Sequence, residues 1–150
     1  MNVYEKLKEL DLKLPKAPEK GGVYSPAKRF GGNLIYISGC GPVIDLPVTG
    51  KLGIDMTIEE GQKHACNSVL NVLAVLEREV GDLNKVKGCV KLLVFVAGSD
   101  TFYSQPQVAN GASALLAKLF GDVPTRSAIG VNALPGNIPV EIEGIFEIED

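Results

Sequence analysis

The sequence predicts a two-layer α+β sandwich, a mixed sheet with two helices on one face. Three observations carry this expectation. Two long helical patterns, over 57–81 and 99–121, are separated by a single strand pattern. Paired strand patterns stand at both ends of the main body, over 23–39 and 126–148. The resulting order of helix, β, β, α, β, α, β, β contains no repeated βα unit, no internal sequence repeat and no low-complexity segment.

Residues 2–12 place Val3, Leu7 and Leu10 at helical spacing among lysines and glutamates, which reads as a short amphipathic helix. The segment 15–22, PKAPEKGG, ends it with two prolines and a Gly-Gly pair. Residues 1–20 are therefore read as an N-terminal helix and connector, and residues 21–150 as the main domain. Residues 23–39 read as two strands about a turn at Gly31-Gly32, and the run Leu34, Ile35, Tyr36, Ile37 marks the second as a central strand. The Pro/Gly-rich loop that follows is long enough to pack over a site. The helix of 57–81 opens on Thr57, with Glu60 three residues on as a capping box. Ala65, Val69, Val72, Leu73 and Leu76 form its apolar stripe, and Gly81 stops it. A strand over 85–98 is buried through Leu92, Leu93, Val94, Phe95 and Val96. In 99–121 a short helical turn precedes a restart at Pro106 and a helix burying Val108, Leu115, Leu116, Leu119 and Phe120. Strands over 126–133 and 139–148 close the chain.

Composition narrows the chemistry. The 150 residues make one domain, and hydrophobic and charged fractions of 45% and 22% are those of an ordinary soluble globule. A net charge of −3 offers no basic field to gather nucleic acid or anionic lipid. The longest apolar run, near Leu92 to Ala97, is far short of a membrane span, and the first residues lack the apolar core of a signal peptide. Three cysteines, Cys40, Cys66 and Cys89, are odd in number and widely spaced, with no CxxC. They argue against a disulfide scaffold or zinc site and fit a reducing cytoplasm. A single histidine, His64, cannot build a Ser/His/Asp triad or a multi-histidine metal site in one chain.

The closing strands hold the unusual charges. Alternation puts Arg126, Ala128, Gly130 and Asn132 on one face of the first, and Glu141, Glu143, Ile145 and Glu147 on one face of the second. If the more apolar sets, Ile129, Val131 and Ala133 with Val140, Ile142, Gly144 and Phe146, lie under the helices, Arg126 and Glu141 both project from the helix-free face. Two readings fit. That face is wet and its charges serve solubility, or another surface covers it, as the small or apolar Ala128, Gly130 and Ile145 hint. A covered guanidinium needs an anion, and a carboxylate is its best geometric match.

The stretch VPTRSAIGVNALP, followed by VEIEGIFEIE, resembles the C-terminal signature of the RidA/YjgF family of enamine and imine deaminases. The likeness extends over roughly residues 21–148 through VYSP, IYISG and VANGASALLAKLF, in matching order. It implies a chorismate-mutase-like fold and a homotrimer whose helix-free sheet faces pack into a central barrel, with clefts between neighbouring subunits. It further implies that Arg126 grips a substrate carboxylate and that Glu141 holds the attacking water. Ser38, Gly39 and Tyr24 line the cleft, Asn110 reaches in from the adjacent subunit, and Ala128 contributes its backbone carbonyl. The implied reaction is hydrolysis of a 2-imino or enamine acid, such as 2-iminopropionate, to a 2-keto acid and ammonia, needing neither metal nor organic cofactor. The sequence departs from the family at Ala128, where cysteine is common, and at Cys40, where glutamine is common. It also has a longer loop after Cys40 and an extra N-terminal helix.

Two other readings attach to the same residues: a non-catalytic trimer that binds a small carboxylate through Arg126, and an RNA-directed translation inhibitor or endoribonuclease. The acidic composition and the lone histidine disfavour the RNA partner. Cys40 is assigned a packing role, Cys66 and Cys89 positions in or near the core, and His64 a solvated helix face. Glu143 and Glu147 are read as solvated or as pairing with lysines across a subunit contact.

Overall fold

A computed structural model describes residues 2–149. Its elements are α1 (Val3–Glu9), β1 (Ala27–Phe30), β2 (Leu34–Cys40), α2 (Ile58–Val80), β3 (Val86–Ala97), α3 (Gln105–Phe120), β4 (Thr125–Val131) and β5 (Val140–Ile148), with short 3-10 turns at Leu83–Lys85 and Pro135–Asn137. The strands form one sheet in the order β1-β2-β5-β3-β4. Only β3 and β4 pair in parallel, joined by α3 as their crossover; the other neighbours are antiparallel. This is the predicted α+β sandwich, with α2 over β2 and β5, and α3 over β3 and β4.

The core lies between that sheet face and the helices. Ile35 and Ile37, Leu92, Val94 and Val96, and Val140, Ile142, Phe146 and Ile148 are all buried against Val69, Val72, Leu73 and Leu76 of α2 and Leu115, Leu116 and Leu119 of α3. The N-terminal helix belongs to the same core through Val3 and Leu7. It starts on a complete capping box, with Asn2 and Glu5 each accepting the other's backbone N–H at 2.9 Å. At α2 only half of the predicted box forms: Thr57 Oγ1 accepts from the Glu60 N–H at 3.2 Å. Gly81 ends α2 at φ 85°, the left-handed conformation a glycine adopts without a Cβ penalty.

Two sequence expectations are corrected. There is no helical turn before Pro106. Residues 99–104 run as turn and coil, and one helix begins at Gln105 with the proline in its first turn, where a missing N–H costs nothing. The facing of β4 is also reversed. Parallel register pairs Leu92 with Arg126, Val94 with Ala128 and Val96 with Gly130, so this set shares the helix side with the buried residues of β3. Ser127, Ile129 and Val131 face the open side, where Ile129 is 42% exposed. The small residues lie inward because α3 sits close: a Cβ on Gly130 would stand 2.8 Å from Gln105 Nε2.

The two long helices cross through Gly61 and Gly111. A Cβ on Gly111 would overlap the Gln62 carbonyl, which is backbone and cannot rotate away. Gly111→Ala is expected to destabilise the fold by about 1–3 kcal/mol, as overpacking does. Gly88→Ala, whose added methyl meets open space, should leave the thermal midpoint within a degree or so of wild type on the scale of about ±0.5 kcal/mol. Comparing the two melting curves checks the crossing.

Candidate active site

The sequence-predicted residues gather into two groups on opposite faces of the sheet. The first is built by β4 and α3. Arg126 is at the start of the edge strand, on the helix side, and reaches the exposed edge of α3. Its Nη1 donates to Asn110 Oδ1 at 2.9 Å and to Ser113 Oγ at 3.1 Å. Asn110 and Ser113 are one turn apart on one helix face. Asn110 therefore bonds the arginine of its own chain, because the parallel crossover lays α3 over β4. Both partners of the guanidinium are neutral, and the one ion pair among the described residues is Lys87 with Glu147. Of five N–H donors on an arginine, the remainder are open to an anion. Ala128 packs its methyl against the core.

The second group is built by β2, β5 and the segment before β1. Glu141 opens β5 on the helix-free face, beside a cavity of about 430 Å³ shared with Tyr24, Tyr36, Ser38, Gly39 and Glu143. Its carboxylate has no hydrogen-bond partner among the described residues. Burial pushes its pKa up, and the charge of Glu143 pushes in the same direction. Gly39 makes room for it: a Cβ there would lie 3.0 Å from Glu141 Cγ and Cδ. The Ser38 hydroxyl donates to the Ser25 carbonyl at 2.7 Å, leaving lone pairs toward the cavity. The Tyr24 phenol accepts the Gly21 N–H at 3.0 Å and keeps its own O–H to give.

Arg126 and Glu141 of one chain do not meet. Arg126 is level with Leu92 of β3 and Glu141 with Phe95, a separation of about 10 Å along the strands and about 10 Å across them. They also point to opposite faces, so the expectation that both leave the helix-free face is wrong for Arg126.

Several residues escaped the sequence reading. Ser113 follows Asn110 by three helix positions, a spacing visible once the arginine is known to lie over α3. Tyr36 donates to Glu143 at 2.7 Å, and that hydrogen bond, with burial, raises the phenol's pKa. Glu143 is thus paired within the chain, and Glu147 takes Lys87 and an Asn33 amide N–H at 3.1 Å. His64 is half-buried rather than fully solvated. Its Nδ1 is buried with no hydrogen-bond partner among the described residues, and burial lowers its pKa. Cys40 is buried, and its pKa is pushed up to about 12 by burial and then by the Glu141 charge. It stays a protonated packing residue, as its sequence context implied.

This sheet, its two helices and the matched Arg and Glu strands define a family. Residues 14–148 match the one described as endoribonuclease L-PSP, and the chain belongs to the RidA/YjgF family. Protein TCP17 of Trypanosoma cruzi is 36% identical over 154 residues, covering 96% of this chain and 92% of that protein. The 2-iminobutanoate/2-iminopropanoate deaminase of Dermatophagoides farinae is 29% identical, covering 90% and 93%. Among solved structures, protein Atu1372 of Agrobacterium tumefaciens, of unknown function, superposes with a TM-score of 0.90 at 38% identity over 98% of this chain and 92% of that one. RidA from the Antarctic bacterium Psychrobacter sp. PAMC 21119 gives 0.61 at 32% identity, over 89% and 94%. Within the family the chain sides with Atu1372, whose match takes in nearly the whole length.

The electrostatics of the second group are open to measurement. In a carbon-13 titration of the side-chain carboxyls, Glu141 should titrate above the ordinary carboxylate range. Glu143→Gln removes a like charge and should move that titration to lower pH. An unchanged Glu141 midpoint in the variant would show that the two carboxylates do not interact.

Proposed function

We propose that this protein is an imine and enamine deaminase acting as a homotrimer, which hydrolyses reactive 2-imino acids such as 2-iminopropionate to 2-keto acids and ammonia. One observation carries the reading. A guanidinium free of any acid and a half-buried carboxylate without a partner stand on opposite faces of one chain, complementary but out of each other's reach. The carboxylate and the electrophilic carbon of a 2-imino acid are adjacent atoms, so both groups must be brought to them by two chains. One chain supplies Arg126 with Asn110 and Ser113. Its neighbour supplies Glu141 with Tyr24, Ser38 and Gly39. The helix-free face supports an assembly of this kind: Phe30 and Tyr36 are exposed on it at one end of the sheet and Ile129 at the other, and Leu93, Phe95 and Ile145 between them are only part-buried. The deaminase name carried by the Dermatophagoides relative supports the reaction class.

The chemistry asked of these groups is modest. Arg126 fixes the substrate carboxylate through charged hydrogen bonds worth about 1.5–3 kcal/mol. Glu141, its proton affinity already raised by burial, orients a water and takes a proton as the oxygen bonds to C2 of the protonated imine. The product is a carbinolamine. Glu141 then returns that proton to the nitrogen and the C2–N bond breaks. The hydroxyl closes to a carbonyl, its proton passes to solvent, and ammonia departs. A base must be unprotonated to act, so kcat/KM should rise with pH through the elevated Glu141 titration.

Generating 2-iminopropionate in situ and following keto-acid release tests the proposal. Glu141→Gln should lower kcat by about 10²–10⁴-fold, as loss of a general base does. Arg126→Ala should lower kcat/KM by about 10–150-fold, the equivalent of its carboxylate contact. Wild type and Arg126→Ala at the same background rate would overturn the reaction. Co-expressing the two variants in equal amounts tests the assembly. Every mixed trimer of a closed ring contains one junction joining an intact arginine to an intact glutamate, so random mixing should restore about a quarter of wild-type activity. No recovery would place the reaction within one chain and overturn the two-chain site.

A further inference from the structure

Behind the Glu141 cavity lies a second, more enclosed one of about 230 Å³, and the two share Tyr24, Ser38 and Gly39. Its far walls are Cys40, Val43, Val75 and Ile138, and the connector closes it with Pro18. These are apolar groups drawn from four separate parts of the chain. Asn71 of α2 is the buried polar residue in the wall, 3% exposed. Its Nδ2 donates to the carbonyls of Gly41 and Val43, both at 2.9 Å. Two carbonyl partners fix which end of the amide carries the hydrogens. The loop after β2 is thereby tied to α2, and the wall it forms is held in place. Asn71 Oδ1 has no donor among the described residues, so the amide offers this chamber an acceptor and no free donor. Glu19 and Lys20 of the connector also line the chamber.

We infer that this chamber receives the side chain of the substrate, and that the protein selects 2-imino acids with a bulky, uncharged apolar side chain, branched or aryl, over the methyl-bearing 2-iminopropionate. The inference rests on the deaminase reading for the reacting atoms and on the chamber for the selectivity. A C2 atom beside Glu141 lies next to Ser38 and Gly39, which line both cavities. Its substituent continues into the space behind. The volume exceeds the roughly 150 Å³ of an apolar cavity that accepts benzene, so a methyl group would leave most of it empty. Pro18 lines the chamber from the connector. The N-terminal segment therefore helps to set which substrate is taken.

The test compares kcat/KM for imino acids generated in situ from leucine and from alanine, in wild type and in two variants that fill the chamber. Val75→Phe fills it from α2, and Val43→Trp from the exposed loop, where folding is not at stake. The ratio of the two constants cancels any loss of folded protein. Wild type should favour the leucine-derived substrate by about tenfold or more, as several methylenes in an apolar pocket do, and each variant should abolish that preference. A wild-type ratio near one, or a ratio that neither variant moves, overturns the inference while leaving the deaminase reading intact. If no imino acid is turned over, the deaminase reading falls and calorimetry with the keto acids decides the chamber. Tighter binding of 4-methyl-2-oxopentanoate than of pyruvate, lost in both variants, upholds it, and equal binding overturns it.

Discussion

The pleat of one sheet governs what this molecule can do. Strand residues alternate between faces, and β3 fixes the level of both its neighbours, so Arg126 and Glu141 are assigned to opposite sides by register alone. Side-chain motion does not reverse such an assignment. It would take a one-residue slip of β4, which would drive Ser127 and Ile129 under α3 and the guanidinium out of its seat on Asn110 and Ser113. The hydrophobic core therefore holds the two reactive halves apart within a chain as firmly as it holds the chain together. Any chemistry that needs both groups is a property of an assembly.

Each half is prepared in a different way. The arginine is oriented by neutral acceptors in the middle of α3, which leave its charge uncompensated. The glutamate is held by exclusion: Gly39 packs against it, burial starves it of water, and Glu143 adds repulsion. Tyr36 then steadies Glu143 with a short hydrogen bond, so that the repelling charge is itself fixed in position. One face thus carries a cation lacking an anion and the other a base lacking a proton donor, together the complement of a small acid bearing an electrophilic carbon.

Most of the fold was legible in the sequence because its strongest signals are local. Thr57 and Gly81 bracket α2, its stripe of valines and leucines names the buried face, and the Gly31-Gly32 turn marks the first hairpin. The candidate site residues were named through the motif that carries them. What failed was the facing of β4. The reading assumed that the more apolar set of an alternating strand lies under the helices. Here both faces are apolar, and the close approach of α3 demands small residues, so Ala128 and Gly130 lie inward while Ile129 faces out. Periodicity separates two faces but does not say which is which at an edge strand. The polar seat of the arginine was invisible for the same reason, since Ser113 gains meaning only once α3 is known to lie above Arg126.

The state of Cys40 has a further consequence under the proposed chemistry. The imine tautomers of such substrates are electrophilic at C2 and can be captured by thiolates, and this thiol lies close to the carboxylate that would process them. Its pKa of about 12 leaves a vanishing fraction ionised at neutral pH. Burial, which makes Glu141 a better base, thus joins the Glu141 charge in quenching the thiol, guarding the protein against self-poisoning by its own substrate.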